Sequence, residues 1–175
     1  MQFEVFGPFE LPRQRSGLVD VSRDAKRKLI DDLESKRIGL SQAHGCYVFG
    51  TASGRGTLPW YVGKAERLSF IREVLSPSKL VHYNDVLGDR NRGKPVLYLI
   101  ARITPKGRFC RPTSNRTVQY LETLLIGICI RRNADLRNSK DTKLLRELKV
   151  RGIFNTDLGH PGHAAIHLKG TLGMG

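Results

Sequence analysis

The segment Gly45-Cys-Tyr-Val-Phe-Gly-Thr-Ala-Ser-Gly-Arg-Gly-Thr-Leu-Pro-Trp-Tyr-Val-Gly63 holds two short apolar runs with a glycine-rich stretch between them. Aromatic and β-branched residues are prominent in both runs, and such runs favour β-strands. The intervening residues 50–56 have the composition of a loop and include Arg55. The sequence therefore predicts a β-hairpin with a loose, basic tip.

The residues after the hairpin predict a helix followed by a polar connection. The pattern turns helical after Gly63 and stays so through Leu75, and Pro77 is expected to end that helix. The stretch 76–95 is polar and contains glycine, which is typical of a loop.

A third strand and a second core helix are predicted further along the chain. Residues 95–103 are apolar almost without interruption, which predicts an inner strand buried on both faces. Residues 118–131 are apolar almost all round a helix, so we expect that helix to be buried, with Glu122 as its single acid. A shorter helix is predicted over residues 143–149, before a glycine-rich tail.

The N-terminal residues predict an extension of this core. Residues 1–20 look extended and rich in turns. Ser22 is a suitable N-cap for a helix from Arg23 to about Lys36, which Gly39 is expected to end.

These elements predict an α/β (α+β) fold with a β-β-α-β-α core. We expect a small central sheet of three strands, antiparallel or mixed, flanked by helices. The predicted organisation is an N-terminal extension with a strand and a helix, a core, and a glycine-rich tail, over residues 1–43, 44–150 and 151–175.

Composition restricts the class of partner. The 175 residues include 30 Lys and Arg against 16 Asp and Glu, a net charge of +14. A hydrophobic content of 39% supplies a real core and excludes a wholly disordered basic tail. Positive charges in this excess repel one another, which favours a polyanionic partner. A generic basic protein, such as a ribosome-associated one, is the alternative.

Cysteine usage and hydropathy predict a cytoplasmic protein. Cys46, Cys110 and Cys129 are an odd number at unrelated spacings, which favours reduced thiols. No apolar run approaches the roughly 18 residues that a spanning helix needs, and the N-terminus lacks the features of a secretory signal. We therefore expect no membrane partner.

The hairpin carries two triplets, Gly45-Cys46-Tyr47 and Tyr61-Val62-Gly63. They resemble the signature of the GIY-YIG nuclease family. The run Tyr61-Val-Gly-Lys-Ala-Glu-Arg-Leu-Ser69 is similar to the same stretch in the N-terminal nuclease domain of bacterial excinuclease. The resemblance extends through the predicted order of elements over about residues 44–140.

The resemblance implies a hydrolytic site for phosphodiesters. In this family one divalent metal, Mg²⁺ or Mn²⁺, is held by the helix glutamate, here Glu122. Tyr47 would act on the attacking water as a general base or its relay, and Tyr61 and Lys64 would position the phosphate. A single carboxylate, with water and phosphate in the other positions, suits Mg²⁺, which keeps much of its hydration shell. Each residue also has a purely structural interpretation. Tyr47 and Tyr61 would be strand aromatics packed on a core, Glu122 an acid at the end of a buried helix, and Lys64 a solvated surface charge.

One position departs from the family. The catalytic arginine of the family usually lies eight residues past the second-triplet glycine, where this chain has Ile71. Arg72 is its immediate neighbour and Arg67 lies one helical turn earlier, so either is a candidate replacement. If neither arginine reaches the phosphate, the domain binds nucleic acid without cutting it.

Two later positions resemble auxiliary groups of the family. His82 matches the region where relatives carry a further phosphate or proton-transfer group, and an ordinary loop histidine is the alternative. Asn138 resembles a late asparagine that braces the site, with Asn133 as a second candidate. An exposed turn asparagine is the structural interpretation of both.

Basic residues cluster in the predicted loops, where they would track the phosphates of double-stranded DNA. Those we single out for nucleic-acid binding are Arg55, Arg90, Arg92, Lys94, Arg108, Arg111 and Arg116. A second cluster, His160, His163 and His167, has spacing that a metal site could use, but Pro161 and Gly162 interrupt it.

The leading hypothesis is a metal-dependent DNA endonuclease of GIY-YIG type. The alternative, favoured by Ile71, is a catalytically weak or inactive module of the same fold that binds nucleic acid. A basic RNA-binding protein without nuclease ancestry is the third interpretation. Cutting both strands requires either a dimer or two successive binding events, so we expect a homodimer or a larger DNA-processing complex.

Overall fold

The computed structural model describes residues 2–89, 93–111, 114–138, 142, 147, 150, 153 and 162–172. The chain divides into two compact units, Met1–Asn138 and Ser139–Gly175. The second unit contains helix α5, His163–Thr171, and no residue of that helix is buried. The helix predicted over residues 143–149 falls almost entirely outside the described residues.

The first unit is built on a sheet of four antiparallel strands. Their bounds are β1 Gln2–Glu10, β2 Gly45–Ser53, β3 Gly56–Ala65 and β4 Lys94–Ile103, and their spatial order is β1-β4-β2-β3. The mixed α/β class is confirmed, but the expectation of three strands is wrong because β1 pairs with β4 along most of its length. An inner strand needs a hydrogen-bonded neighbour on each edge, and the N-terminal residues supply the second neighbour of β4.

The predicted hairpin is confirmed, and its register sorts the side chains between the two faces of the sheet. Tyr47 pairs with Gly63, and Cys46 pairs with Lys64. Because side chains alternate along a strand, Tyr47 faces one side of the sheet and Lys64 faces the other. A bulge after Phe49 ends the regular pairing.

Helix α1, Arg23–Lys36, agrees with the prediction at both ends. The Ser22 side chain accepts a hydrogen bond from the Ala25 amide at 3.3 Å, as an N-cap does. Gly39 follows the helix with a φ of 88°, a left-handed conformation that glycine adopts without strain.

The region after the hairpin differs from the prediction. Helix α2 is short, Phe70–Val74, and a further helix α3, Pro77–Asp89, replaces the expected loop. Pro77 begins α3 because the first turn of a helix needs no backbone N–H there. His82 and Tyr83 therefore lie on a helix.

Helix α4, Arg116–Arg132, packs on β3 and β2, but it is not buried all round. Val118, Ile126, Cys129 and Ile130 are buried. On the outer face, Tyr120, Leu124 and Ile128 are 72%, 60% and 56% exposed. A single sheet covers only one face of a helix, so continuous apolar character does not imply complete burial.

The helices lie on both faces of the sheet. The main core combines the side chains of β2 and β3 that share the Tyr47 face with residues of α1, α2 and α3, such as Leu33, Phe70 and Tyr83. Helix α4 covers the opposite face, where the Cys46 thiol donates to the Val118 carbonyl at 3.3 Å. Among the described helices, none is both long enough and apolar enough to cross a membrane.

Candidate nucleic-acid interface

Both glycines of the hairpin triplets are required by packing. A Cβ at Gly63 would overlap the ring and hydroxyl of Tyr47. Gly45 has a φ of +154°, and a Cβ there would overlap the carbonyl of Ile100 on β4. The triplets that resemble a nuclease signature are therefore also what allows β2 to sit between its two neighbours.

Tyr47 is wholly buried in the main core. Its hydroxyl has no hydrogen-bond partner within the described part of the chain. Burial raises the pKa of Tyr47 well above its usual value, and the potentials of Tyr83, Tyr61 and Glu73 raise it further. In this arrangement the phenol keeps its proton and meets no solvent, so it is not placed to activate a water molecule.

Tyr61 shares the face of Tyr47, with ring centroids 6.3 Å apart. Its hydroxyl accepts a hydrogen bond from Lys79 at 3.0 Å, and the His82 ring stacks on it at 4.9 Å. Lys79 also pairs with Glu73 at 3.6 Å. Neither Lys79 nor Glu73 was predicted as a site residue, and residue 79 was expected in a loop. On a helix, Lys79 and His82 are three residues apart and share a face.

The burial of Lys79 and its contacts with Tyr61 and Glu73 have opposite effects on the pKa of its amine. Burial lowers the pKa of Lys79, but the hydrogen bond to Tyr61 and the Glu73 carboxylate outweigh it, so the pKa is raised. The amine therefore stays charged and holds the Tyr61 hydroxyl in place.

Glu122 and Lys64 meet on the opposite face of the sheet. The Lys64 Nζ donates to Glu122 Oε2 at 2.7 Å, and the side chains are 26% and 19% exposed. Burial lowers the pKa of Lys64, but the hydrogen bond and charge of Glu122 outweigh it, so the pKa is raised. The structure therefore brings together Glu122 with Lys64, and Tyr47 with Tyr61 and His82, as two groups on different faces.

The group expected to hold a divalent metal is the Glu122 carboxylate on α4. The carboxylate is already paired with Lys64. Within the described ranges there is no group of three or more His, Cys, Asp or Glu side chains that could hold a metal ion. The Mg²⁺ or Mn²⁺ expected from the resemblance stays a prediction.

The side chain of Asn138 braces the hairpin by hydrogen bonds to the backbone of β3. Its Nδ2 donates to the Val62 carbonyl at 2.7 Å, and its Oδ1 accepts from the Val62 amide at 2.9 Å. Asn133 donates to the Pro59 carbonyl at 2.7 Å. Because β3 is an edge strand, these side chains satisfy backbone groups that no further strand pairs.

Both candidate arginines line the same cleft. Arg67 and Arg72 border an open cleft of about 340 Å³ together with Gln42, His44, Leu68 and Ser69. Ile71, at the family's arginine position, packs against the main core instead. Arg67, in the turn between β3 and α2, and Arg72, in α2, therefore both border the cleft.

The predicted nucleic-acid-binding residues separate between the two ends of the sheet. Gly45 is opposite both Ala65 and Ala101, so the residues following β3 and β4 emerge at one end. We call this the basic end, and its exposed cations are Arg67, Arg72, Lys106, Arg108, Arg111 and Arg116. Arg55 and Lys94 lie at the other end, where Lys94 pairs with Glu10 at 3.2 Å. Arg90 and Arg92 lie outside the described residues.

Few acids offset the basic end. The sequence contains no Asp or Glu between Asp89 and Glu122. Glu66 is nearby, but its carboxylate accepts hydrogen bonds from the Asn115 amide at 3.1 Å and from Gln119 at 3.2 Å. Of the six cations, none forms an ion pair with another described residue.

Comparison with family models, with curated proteins and with solved structures found no match for this chain. The resemblance to GIY-YIG nucleases therefore remains a prediction from the residues of the hairpin. Of the three tail histidines, His160 lies outside the described residues, and His163 and His167 are exposed on α5.

Proposed function

We propose that this chain is a nucleic-acid-binding module that contacts phosphates through the basic end of its sheet. The observation that carries the proposal is that six exposed cations, none of them ion-paired with a described residue, follow the ends of β3 and β4. Unpaired Lys and Arg side chains are available to neutralise phosphates, whereas paired ones must first be separated from their acids.

The site groups favour binding over cutting. A hydrolytic centre requires the water-activating and metal-binding groups around one phosphate. Here Tyr47 is in the core and Glu122 is paired with Lys64 on the other face. In this arrangement the chain offers phosphates a charged surface, but Tyr47 and Glu122 do not meet in one catalytic centre.

Salt dependence tests the proposed function. Each phosphate contact contributes about −0.9 to the slope of log K against log salt concentration for duplex DNA. We expect Arg108→Gln combined with Arg111→Gln to reduce the magnitude of that slope by about 2. The slope is measured by fluorescence anisotropy of a labelled duplex.

Arg55→Gln is the matched control, because Arg55 is exposed but lies at the opposite end of the sheet. We expect its slope to equal that of the unsubstituted chain. Equal slopes for all the variants, or binding insensitive to salt, would overturn the proposal.

Phosphodiester hydrolysis is the second candidate function. The observation that favours it is the contact between Lys79 and the Tyr61 hydroxyl, with His82 stacked on the same ring. A phenol held by an ammonium group beside an imidazole is an arrangement that can position a phosphate or move a proton.

A further inference from the structure

The cleft at the basic end has the size of a ligand site. Its volume of about 340 Å³ is at the lower end of the range of about 300–1,000 Å³ typical of small-molecule pockets. One wall, with Gln42 and His44, precedes β2, and the other, residues 67–72, follows β3. The N-terminal extension therefore contributes to the cleft.

The cleft is electropositive. Arg67 and Arg72 are exposed, and neither forms an ion pair within the described part of the chain. The nearest acids along the sequence are engaged elsewhere, Glu66 with Asn115 and Glu73 with Lys79. Two guanidinium groups on one cleft favour an anion with several acceptor oxygens.

Ser69 gives an independent indication of a ligand. The residue is only 7% exposed, yet its Oγ has no hydrogen-bond partner among the described residues. A buried hydroxyl without a partner destabilises the folded chain, so native proteins rarely retain one. Ser69 borders the cleft, and a change of χ1 rotamer would be needed to bring this hydroxyl to a bound oxygen atom.

His44 adds an oriented polar group. Its Nδ1 lies 2.9 Å from the Leu68 carbonyl, so the neutral ring carries its proton on Nδ1 and leaves Nε2 as a hydrogen-bond acceptor. Burial lowers the pKa of His44, and the backbone hydrogen bond offsets this only in part. The imidazole thus adds no permanent charge.

We propose that this cleft binds a single phosphate group of a nucleic acid, which Arg67 and Arg72 neutralise and to which Ser69 donates a hydrogen bond. The inference rests on the proposed function and assigns Ser69 to it; His44 borders the cleft and reports on its occupancy. An internal phosphodiester and a terminal phosphomonoester offer the same oxygens, so the test compares them.

The test variant is Ser69→Ala, which removes only the hydroxyl. We expect its affinity for a labelled DNA duplex to fall by about tenfold, the effect of losing one hydrogen bond to a charged group. Its melting temperature should be unchanged or higher, because an unpartnered buried hydroxyl is removed. Ser35→Ala, at an exposed serine on α1, is the matched control, with unchanged affinity.

A second measurement does not depend on DNA binding. Inorganic phosphate is titrated into the chain while NMR follows the Ser69 amide and the His44 ring. We expect saturable shifts at both in the unsubstituted chain and weaker binding in Ser69→Ala. Comparison of 5′-phosphorylated with 5′-hydroxyl duplexes then identifies the source: tighter binding of the former indicates the terminal group, and equal binding indicates an internal phosphate.

The outcomes separate the two proposals. If Ser69→Ala binds DNA as the unsubstituted chain does and phosphate shifts neither residue, the cleft proposal is overturned while salt-dependent DNA binding stands. If no form binds DNA but phosphate still shifts both residues, the cleft is supported as an anion site and the proposed function fails.

Discussion

Replacing Gly63 with alanine should lower the free energy of unfolding by about 3 kcal/mol or more, at the upper end of the range for overpacking a core. The added methyl group would overlap the Tyr47 ring, which is wholly buried and cannot move aside. Urea unfolding measures the change. Gly88→Ala is the matched control, because nothing lies near a Cβ there and alanine favours helix α3, so it should stabilise by about 0.5–1 kcal/mol.

A double-mutant cycle assigns the cause of that loss. In a Tyr47→Leu background the shorter side chain leaves room for the methyl group, so Gly63→Ala should cost less than about 1 kcal/mol, a coupling of about 2 kcal/mol. The same cost in both backgrounds would show that the Tyr47 contact is not the reason for glycine at position 63.

Asn138→Ala is expected to have the second largest effect, a loss of about 2–4 kcal/mol in the free energy of unfolding. The substitution removes two hydrogen bonds and leaves the Val62 amide and carbonyl without partners in a buried environment. Chemical denaturation measures this loss. Asn138→Asp keeps the acceptor for the Val62 amide but places a carboxylate oxygen against the Val62 carbonyl at a buried site, so it should also destabilise the chain.

A role limited to contact with a bound phosphate gives a different expectation for this residue. A site asparagine that acted only on a bound phosphate would lower DNA affinity or activity on substitution and leave stability unchanged. Unchanged stability in Asn138→Ala would therefore contradict the bracing role and support a role at the phosphate.

The hairpin was predictable because its information is local. Two runs of β-prone residues around a glycine-rich loop specify the strands, and the close packing at Gly45 and Gly63 needs residues without a Cβ. The placement of Lys64 and Tyr61 on opposite faces of the sheet could also be predicted from the sequence. Residues three apart on a strand point to opposite faces, but the comparison with a nuclease site directed attention to proximity along the chain.

Other features depend on tertiary context. Pro77 is equally compatible with the end of one helix and the start of the next, and only packing of α3 on the core distinguishes them. The partner of β1 lies about a hundred residues away, so no local pattern identifies it. The ion pair of Lys64 with Glu122 likewise joins β3 to α4.

The most direct test of binding without cutting is incubation of supercoiled plasmid with the chain and Mg²⁺ or Mn²⁺. We expect retention of the plasmid that weakens steeply with salt, and no nicking beyond that of a Glu122→Ala variant. Nicking or linearisation by the unsubstituted chain that both chelator and Glu122→Ala abolish would contradict this expectation. It would show that Glu122 leaves Lys64 to complete a catalytic centre.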